Sequence, residues 1–262
     1  MKKIAAVMVL LLGIGMMVYA GGQLSETQKI YQEGNAAYED LVGRVRVSAV
    51  AEIKAQGPQG SPSEAMPAPN AQLYIPQLDI DFAALRAING EAAAWLYNPG
   101  TTIDYPVMKT DNYSYYLDHL PDGTANANGS LFIDYNNAAD FSDPLTVIYG
   151  HHMKSGKMFG SLKGYKDQSY YEKHPYMYLY TEEASYRIEL IYGCIIGAKQ
   201  WRDRAFMFAV NLDSLLAYAA HNTTFKSGAA YTEGDRVVVL ATCSYEFDDA
   251  RYVVLGVLRE VE

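Results

Sequence analysis

Arg236-Val237-Val238-Val239-Leu240-Ala241-Thr242-Cys243 is an almost unbroken run of apolar and β-branched residues. Such a run reads as a strand. The chain then breaks into Ser244-Tyr245-Glu246-Phe247-Asp248-Asp249-Ala250 and re-enters a strand at Arg251-Tyr252-Val253-Val254-Leu255. If the two strands pair as a hairpin, Cys243 and Arg251 stand opposite each other and share one sheet face. A thiol at the mouth of a strand, followed by a polar loop, lies where a substrate reaches it.

Outward from this hairpin the pattern is short strand after short strand. Ala94–Tyr97, Ile103–Met108, Ser130–Tyr135, Leu145–Gly150, Tyr176–Thr181, Tyr186–Ile196 and Arg251–Val261 are separated by Gly, Pro, Asn and Asp clusters such as Asn98-Pro99-Gly100 and Pro121-Asp122-Gly123. Short helices are expected near Asp79–Ile88, Ser114–His119, Met158–Tyr165 and Leu212–His221. In the last, Leu212, Leu215, Leu216 and Ala219 recur at helical spacing after Asn211. Many short strands with few long helices predict a mostly β chain, a mixed or antiparallel barrel and not a doubly wound sheet.

Cys194 and Cys243 are the two cysteines of the chain. Outside the cytoplasm they could be bonded to each other, but their settings differ. Along Tyr186-Arg187-Ile188-Glu189-Leu190-Ile191-Tyr192-Gly193-Cys194 the even positions are apolar, and Cys194 continues that face as a buried core thiol. Cys243 ends its strand. A guanidinium beside it favours the thiolate and donates hydrogen bonds to a developing oxyanion; the plainer role for Arg251 is an ion pair with Asp248 or Asp249. A nucleophilic thiol also needs an acid/base partner, usually histidine. Of His119, His151, His152, His174 and His221, only His151 and His152 leave a strand end, after Leu145-Thr146-Val147-Ile148-Tyr149-Gly150. Adjacent strand residues point oppositely and no second cluster has ligand spacing, so no metal site is read here.

The 262 residues carry 21 Lys plus Arg against 30 Asp plus Glu, a formal net charge of −9. No basic cluster is present to neutralise phosphates, which argues against a nucleic-acid partner. At the front, Met1-Lys2-Lys3 precedes an uncharged run of 17 residues, Ile4 to Ala20. That pattern predicts a retained signal anchor with the rest of the chain outside the cytoplasm, a single-pass cell-membrane protein with an extracellular catalytic domain. Leu24–Val42 reads as an amphipathic helix, with capping-box spacing at Ser25 and Gln28 and a stripe of Ile30, Tyr31, Ala37, Tyr38, Leu41 and Val42. It is either a stalk or a helix packed on the main domain. Ala55–Gln72, with four prolines, two glycines and two serines, reads as a linker. The organisation expected is thus an anchor at 1–21, a helix and linker at 22–72, and a catalytic barrel at 73–262.

From about Tyr74 onward the chain resembles a class B sortase, a membrane-anchored cysteine transpeptidase of Gram-positive bacteria. The resemblance lies in Asp104-Tyr105-Pro106-Val107, Asn112 through Tyr116-Leu117, and Gly129-Ser130-Leu131-Phe132-Ile133-Asp134-Tyr135. It is most specific in Val147-Ile148-Tyr149-Gly150-His151-His152-Met153 and Leu240-Ala241-Thr242-Cys243, with Arg251 a short distance on. The resemblance implies a closed β-barrel of about eight strands with short peripheral helices and an N-terminal helix after the anchor. It implies Cys243 as nucleophile, His151 as general acid/base and Arg251 as orienting and oxyanion-stabilising residue. Tyr149, Asn112, Leu117, Ala241 and Thr242 are implied in substrate binding, and no cofactor is needed. The implied partners are the sorting-signal peptide of an exported protein, a peptidoglycan precursor or cross-bridge amine, and the membrane. Ala241 departs from the family in lacking the hydroxyl often found there, and Val239 replaces a usual Thr. The competing readings are an exported cysteine protease that only hydrolyses, and a non-catalytic surface barrel with a Cys194–Cys243 disulfide.

Overall fold

A computed structural model describes residues 2–47, 76, 78–201, 212–243 and 249–261, with 2–11, 47 and 243 described through their backbone alone. The expected linker Ala55–Gln72 lies outside the described residues. Helix α1 (Lys2–Val45) runs into β1 (Arg46–Val47), which pairs with β2 (Asp79–Ile80). Then follow α2 (Phe82–Ile88), β3 (Ala92–Tyr97), β4 (Asp104–Met108), β5 (Leu131–Ile133), β6 (Leu145–Tyr149), α3 (Gln168–Lys173), β7 (Tyr176–Tyr180), β8 (Ser185–Gly197), α4 (Leu212–Asn222), β9 (Arg236–Cys243) and β10 (Ala250–Val261). Short 3-10 turns at Tyr115–Leu117 and Phe159–Lys166 stand where two helices were expected. The expected helix at Asp79–Ile88 begins only at Phe82, because Asp79 and Ile80 pair with the end of the N-terminal segment and Asp81 caps the helix by accepting from the Ala84 amide at 2.8 Å.

Eight strands close into a barrel in the order β10-β8-β7-β3-β4-β5-β6-β9. The ladders are antiparallel except for β4–β5 and β6–β9, so the barrel is mixed, as the strand pattern predicted. Closure leaves no open sheet edge. Inside, Leu96, Val107, Leu131, Ile148, Leu179, Ile188, Val238, Leu240 and Val254 fill the core. Outside, two further clusters form where helices cover the wall. The end of α1 and α2 cover β3, β4 and β7 through Leu41, Val45, Phe82, Leu85, Trp95 and Met108. Helix α4 covers β8, β9 and β10 through Leu215 and Ala219, over Cys194, Val239, Ala241, Val253 and Leu255. Covering on both faces is why β9 reads as a continuous apolar run and not an alternating one.

The period-2 reading of β8 needs a correction. The register of β10 with β8 shifts between Leu255 and Gly256, leaving Ile191 unpaired. Tyr186, Ile188 and Leu190 therefore face the barrel interior, whereas Cys194 and Ile196 face the outer cluster. The bulge transfers the alternation to the opposite face. Cys194 is still fully buried, because α4 supplies a second roof.

The front of the chain also corrects the expectation. Helix α1 is continuous from Lys2 to Val45, and Ser25 lies within it, not at its start. Its buried side is Tyr38, Leu41 and Val45, while Ile30 and Tyr31 of the expected stripe are exposed. No helix of the described residues is long and apolar enough to cross a membrane. The predicted anchor, and with it the single-pass cell-membrane placement with an extracellular catalytic domain and the membrane as a partner, is overturned by that finding. The helix is long, but its apolar run is 17 residues, about 25 Å at about 1.5 Å each, at the short limit for a hydrocarbon core of about 30 Å. The helix then continues into a polar segment.

Candidate active site

Three neighbouring strands bring the candidate residues to one end of the barrel. Within the β9–β10 hairpin Cys243 pairs with Arg251, as the hairpin reading required. Strand β6 runs parallel to β9, with Tyr149 opposite Ala241, and the ladder is prolonged by the Gly150 amide donating to the Ala241 carbonyl at 3.2 Å. His151 lies two residues beyond this ladder on one strand, as Cys243 lies two residues beyond Ala241 on the other. Adjacent strands lie about 4.8 Å apart. Cys243 and Arg251 are thus cross-strand partners at the parity of the outer face of the barrel, and His151 follows the end of the adjacent strand β6 by two residues.

Glycine permits this approach. A Cβ on Gly150 would lie 2.4 Å from Leu131 Cδ2 and 2.7 Å from Phe159 Cδ2. The chain leaving β6 is also fastened from the other side, since Thr242 Oγ1 donates to the Gly150 carbonyl at 2.8 Å. Thr242 borders the groove described below, but it is buried and its hydroxyl is engaged in that bond. Beyond Gly150, the His151 carbonyl accepts from the Phe159 amide at 3.0 Å, and His152 bridges to Met158. The His151 ring lies with Nε2 against the Leu117 carbonyl. A carbonyl only accepts, so in this arrangement Nε2 carries the hydrogen and Nδ1 is left for proton exchange.

A groove of about 400 Å³ runs along this outer wall. It is lined by Tyr113, Leu117, Phe132, Tyr149, Gly150, His151, Ala198, Trp201, Ala241, Thr242, Asp249 and Arg251. The walls are mainly apolar and aromatic with a few polar groups among them, the usual composition of a site that orients a substrate by few polar contacts. Tyr149 donates to Asp134 Oδ2 at 3.0 Å, and its ring lies 6.1 Å from that of Tyr113 and 5.5 Å from that of Phe132. Burial, with the nearby Asp134 carboxylate, pushes the Tyr149 phenol well above its ordinary value, so it stays neutral. Arg251 is half-buried and donates to the Ala250 carbonyl at 3.1 Å. Asp248, one of its two expected ion-pair partners, lies outside the described residues, and the other, Asp249, lines the same groove.

The remaining expected residues divide. Tyr149, Leu117 and Ala241 line the groove, and Val239 is fully buried under α4, consistent with a packing role. Asn112 is not among the residues lining the groove; its side-chain oxygen accepts from the Ser114 amide at 3.1 Å. Tyr113, Phe132, Ala198, Trp201 and Asp249 were not singled out as groove residues from the sequence. The pairing of Phe132 with Tyr149 across β5 and β6 could have been anticipated from adjacent strands, whereas the approach of Ala198 and Trp201 is tertiary. Other histidines are used elsewhere: His119 stacks on Tyr115 at 4.0 Å and His174 Nδ1 lies 3.0 Å from the Pro99 carbonyl.

Cys194 is a free thiol pushed up to about 12 by burial. It pairs with Val253 of β10, whereas Cys243 pairs with Arg251 from the other side of that strand. Two strand spacings, about 10 Å, separate their backbones, beyond the roughly 7 Å limit for a disulfide. The reading as a disulfide-stapled inert barrel is therefore rejected.

Comparison with known proteins bears on this geometry. Sortase B of Listeria monocytogenes is 29% identical over 178 residues, covering 66% of this chain and 72% of that protein. A Staphylococcus aureus sortase B–substrate complex superposes with a TM-score of 0.64 at 25% identity, covering 70% of this chain and 86% of that one. The S. aureus sortase B complex with triglycine gives 0.61 at 25% identity, with 70% and 86% coverage. The Sortase domain model matches residues 96–259, from the end of β3 nearly to the end of β10 and well over half of the sequence. The chain belongs to the sortase family, with class B sortases as its relatives, and is a cysteine transpeptidase that works by acyl transfer.

Proposed function

We propose that the enzyme cleaves a C-terminal sorting signal of an exported protein at a Thr residue and joins the protein to an amine of peptidoglycan. The observation that supports the residue assignment is the pairing of Cys243 with Arg251 beside the end of β6, with His151 and Arg251 lining one mainly apolar groove. The Cys243 thiolate attacks the Thr carbonyl carbon, and the electrons of the C=O bond move to oxygen. Arg251, with a guanidinium that stays charged, stabilises this oxyanion. As the C–N bond breaks, protonated His151 gives its proton to the leaving amine, and a thioester remains. In the second half-reaction a peptidoglycan amine attacks the thioester carbonyl, neutral His151 takes its proton, and the C–S bond breaks to restore the thiolate.

The substrate complex and the triglycine complex of the S. aureus relative support a peptide on one side of the reaction and an amine on the other. The aromatic walls suit the second step, because they hold apolar substrate side chains and limit water, which competes with the amine. A fluorogenic library of peptides with Thr at the scissile position tests the reading, run with and without triglycine as the acceptor. The expected result is a Cys243-linked acyl-enzyme by intact mass and an amide product that grows with triglycine. Only free acid at every acceptor concentration would show a hydrolase instead.

A further inference from the structure

The loop that backs His151 is held from behind by the N-terminal helix. Gly129 adopts φ +59, and a Cβ there would lie 2.7 Å from the carbonyl oxygens of Tyr116 and Leu117 and 3.0 Å from His151 Cδ2. Gly129 is thus the surface against which both the imidazole and its Leu117 acceptor rest. The next residue ties that surface to the same turn: the Ser130 amide donates to the Tyr116 carbonyl at 2.8 Å, and Ser130 Oγ donates to the His119 carbonyl at 2.8 Å. Onto this knot comes the buried phenol of Tyr38 from α1, which donates to the Gly129 carbonyl at 2.6 Å and lies 3.2 Å from Ser130 Oγ. Burial raises the Tyr38 phenol far above its ordinary value, so the donor does not ionise.

A second path leads from the same ring to the other side of His151. Tyr38 packs edge-on against Tyr105 with ring centroids 5.0 Å apart, and the Tyr105 hydroxyl accepts from the Met158 amide at 3.3 Å. Met158 is the bridge partner of His152, and its neighbour Phe159 bonds the His151 carbonyl. The helix is brought this close by Gly34, where a Cβ would lie 2.4 Å from Asn128 Nδ2 and 2.5 Å from Asn126 Oδ1. Asn126 Nδ2 in turn donates to the Ile30 carbonyl at 2.9 Å.

We infer that Tyr38 is a positioning residue for His151, acting through Gly129 and the Leu117 carbonyl, so that docking of α1 sets the rate of acyl transfer. The inference rests on the assignment of His151 as the acid/base group. Loss of the hydroxyl leaves the ring in place but frees the Gly129 carbonyl, and a small displacement of a proton-transfer group has a large kinetic cost.

The test is made in the full chain with the best peptide of the library described above. Tyr38→Phe should lower the single-turnover acylation rate about tenfold, with KM unchanged and the protein still folded at the assay temperature. Long-range ¹H–¹⁵N spectra should show the His151 Nε2 resonance displaced. Gly34→Ala, which pushes the helix off the loop without touching Tyr38, should act in the same direction. Wild-type rates with a superimposable His151 resonance in both variants would overturn the inference, whatever happens to the melting temperature. His151→Ala separates the two levels: if it retains activity, the acid/base assignment itself fails. If it is inactive while Tyr38→Phe is fully active, only the positioning role fails.

Discussion

Cys194 and Cys243 stand at outer-face positions of one barrel wall, on the strands either side of β10, and their settings are opposite. Cys194 pairs with Val253 under α4, is fully buried, and keeps its proton up to about pH 12. Cys243 pairs with Arg251 at the end of the same wall, where the covering helix gives way to a groove containing His151 and Arg251. Sheet parity assigns both positions to the outer face, so parity does not decide reactivity. What distinguishes them is distance along the strand from the roof: under α4 a thiol is an apolar filler, whereas Cys243 ends its strand opposite Arg251, which lines the groove.

Exchanging the chemistry of the two sites gives the largest expected effects. Cys243→Ala should remove acyl-enzyme formation altogether, measured by intact mass, without changing the melting temperature by more than a few degrees, since the residue ends its strand. Arg251→Ala should leave the thioester forming but about 10²–10³-fold more slowly, the cost typical of losing an oxyanion donor. Full activity of Arg251→Ala would break the comparison, because the cation would then not be what distinguishes the two thiols.

At the buried end the expected effect is on stability instead. Cys194→Ser places a hydroxyl among Val253, Ile196 and Leu215 and should cost about 1–3 kcal/mol in denaturant unfolding. The acylation rate should stay within about twofold of wild type, because the site is separate from the groove. A loss of activity matching that of Cys243→Ala would mean that the roofed site and the open site are not separable.

The smallest effect is in pH dependence. The unfolded Cys194 thiol loses its proton near its ordinary value of about 9, whereas the folded one retains it to about 12. Between these values the unfolded state binds fewer protons, so stability falls as pH rises. Cys194→Ala should flatten that alkaline fall when melting is followed from about pH 8 to about pH 11. Iodoacetamide at about pH 8 should correspondingly label Cys243 in the folded protein and leave Cys194 untouched.

How much of this was legible in the chain varies residue by residue. The Arg236–Cys243 run and the Arg251 strand announced their own pairing, because a hairpin is local and its register follows from the ladder. The helix at Leu212–Asn222 was equally plain from its apolar spacing. The face of Cys194 was not, because one unpaired residue at Ile191 reversed the alternation and nothing in the residue types marks it. Asn112 drew attention through the resemblance, while Trp201 and Ala198 did not, although they line the groove and Asn112 does not. The apolar front end led to an anchor, and the described helix is not long and apolar enough to cross a membrane.

By itself the sequence determined which side chains are capable of the chemistry and which strands are neighbours within a hairpin, since both depend on residue type and short-range periodicity. Only the tertiary structure decided that β6 lies parallel beside β9 and so brings His151, two residues past β6, to the barrel end where Cys243 closes β9, far along the chain. It also decided that Tyr38 reaches the loop behind that histidine. A parallel ladder has no turn to dictate its register. Its alignment comes from closing the barrel around a shared core, a property of the whole chain and not of any segment.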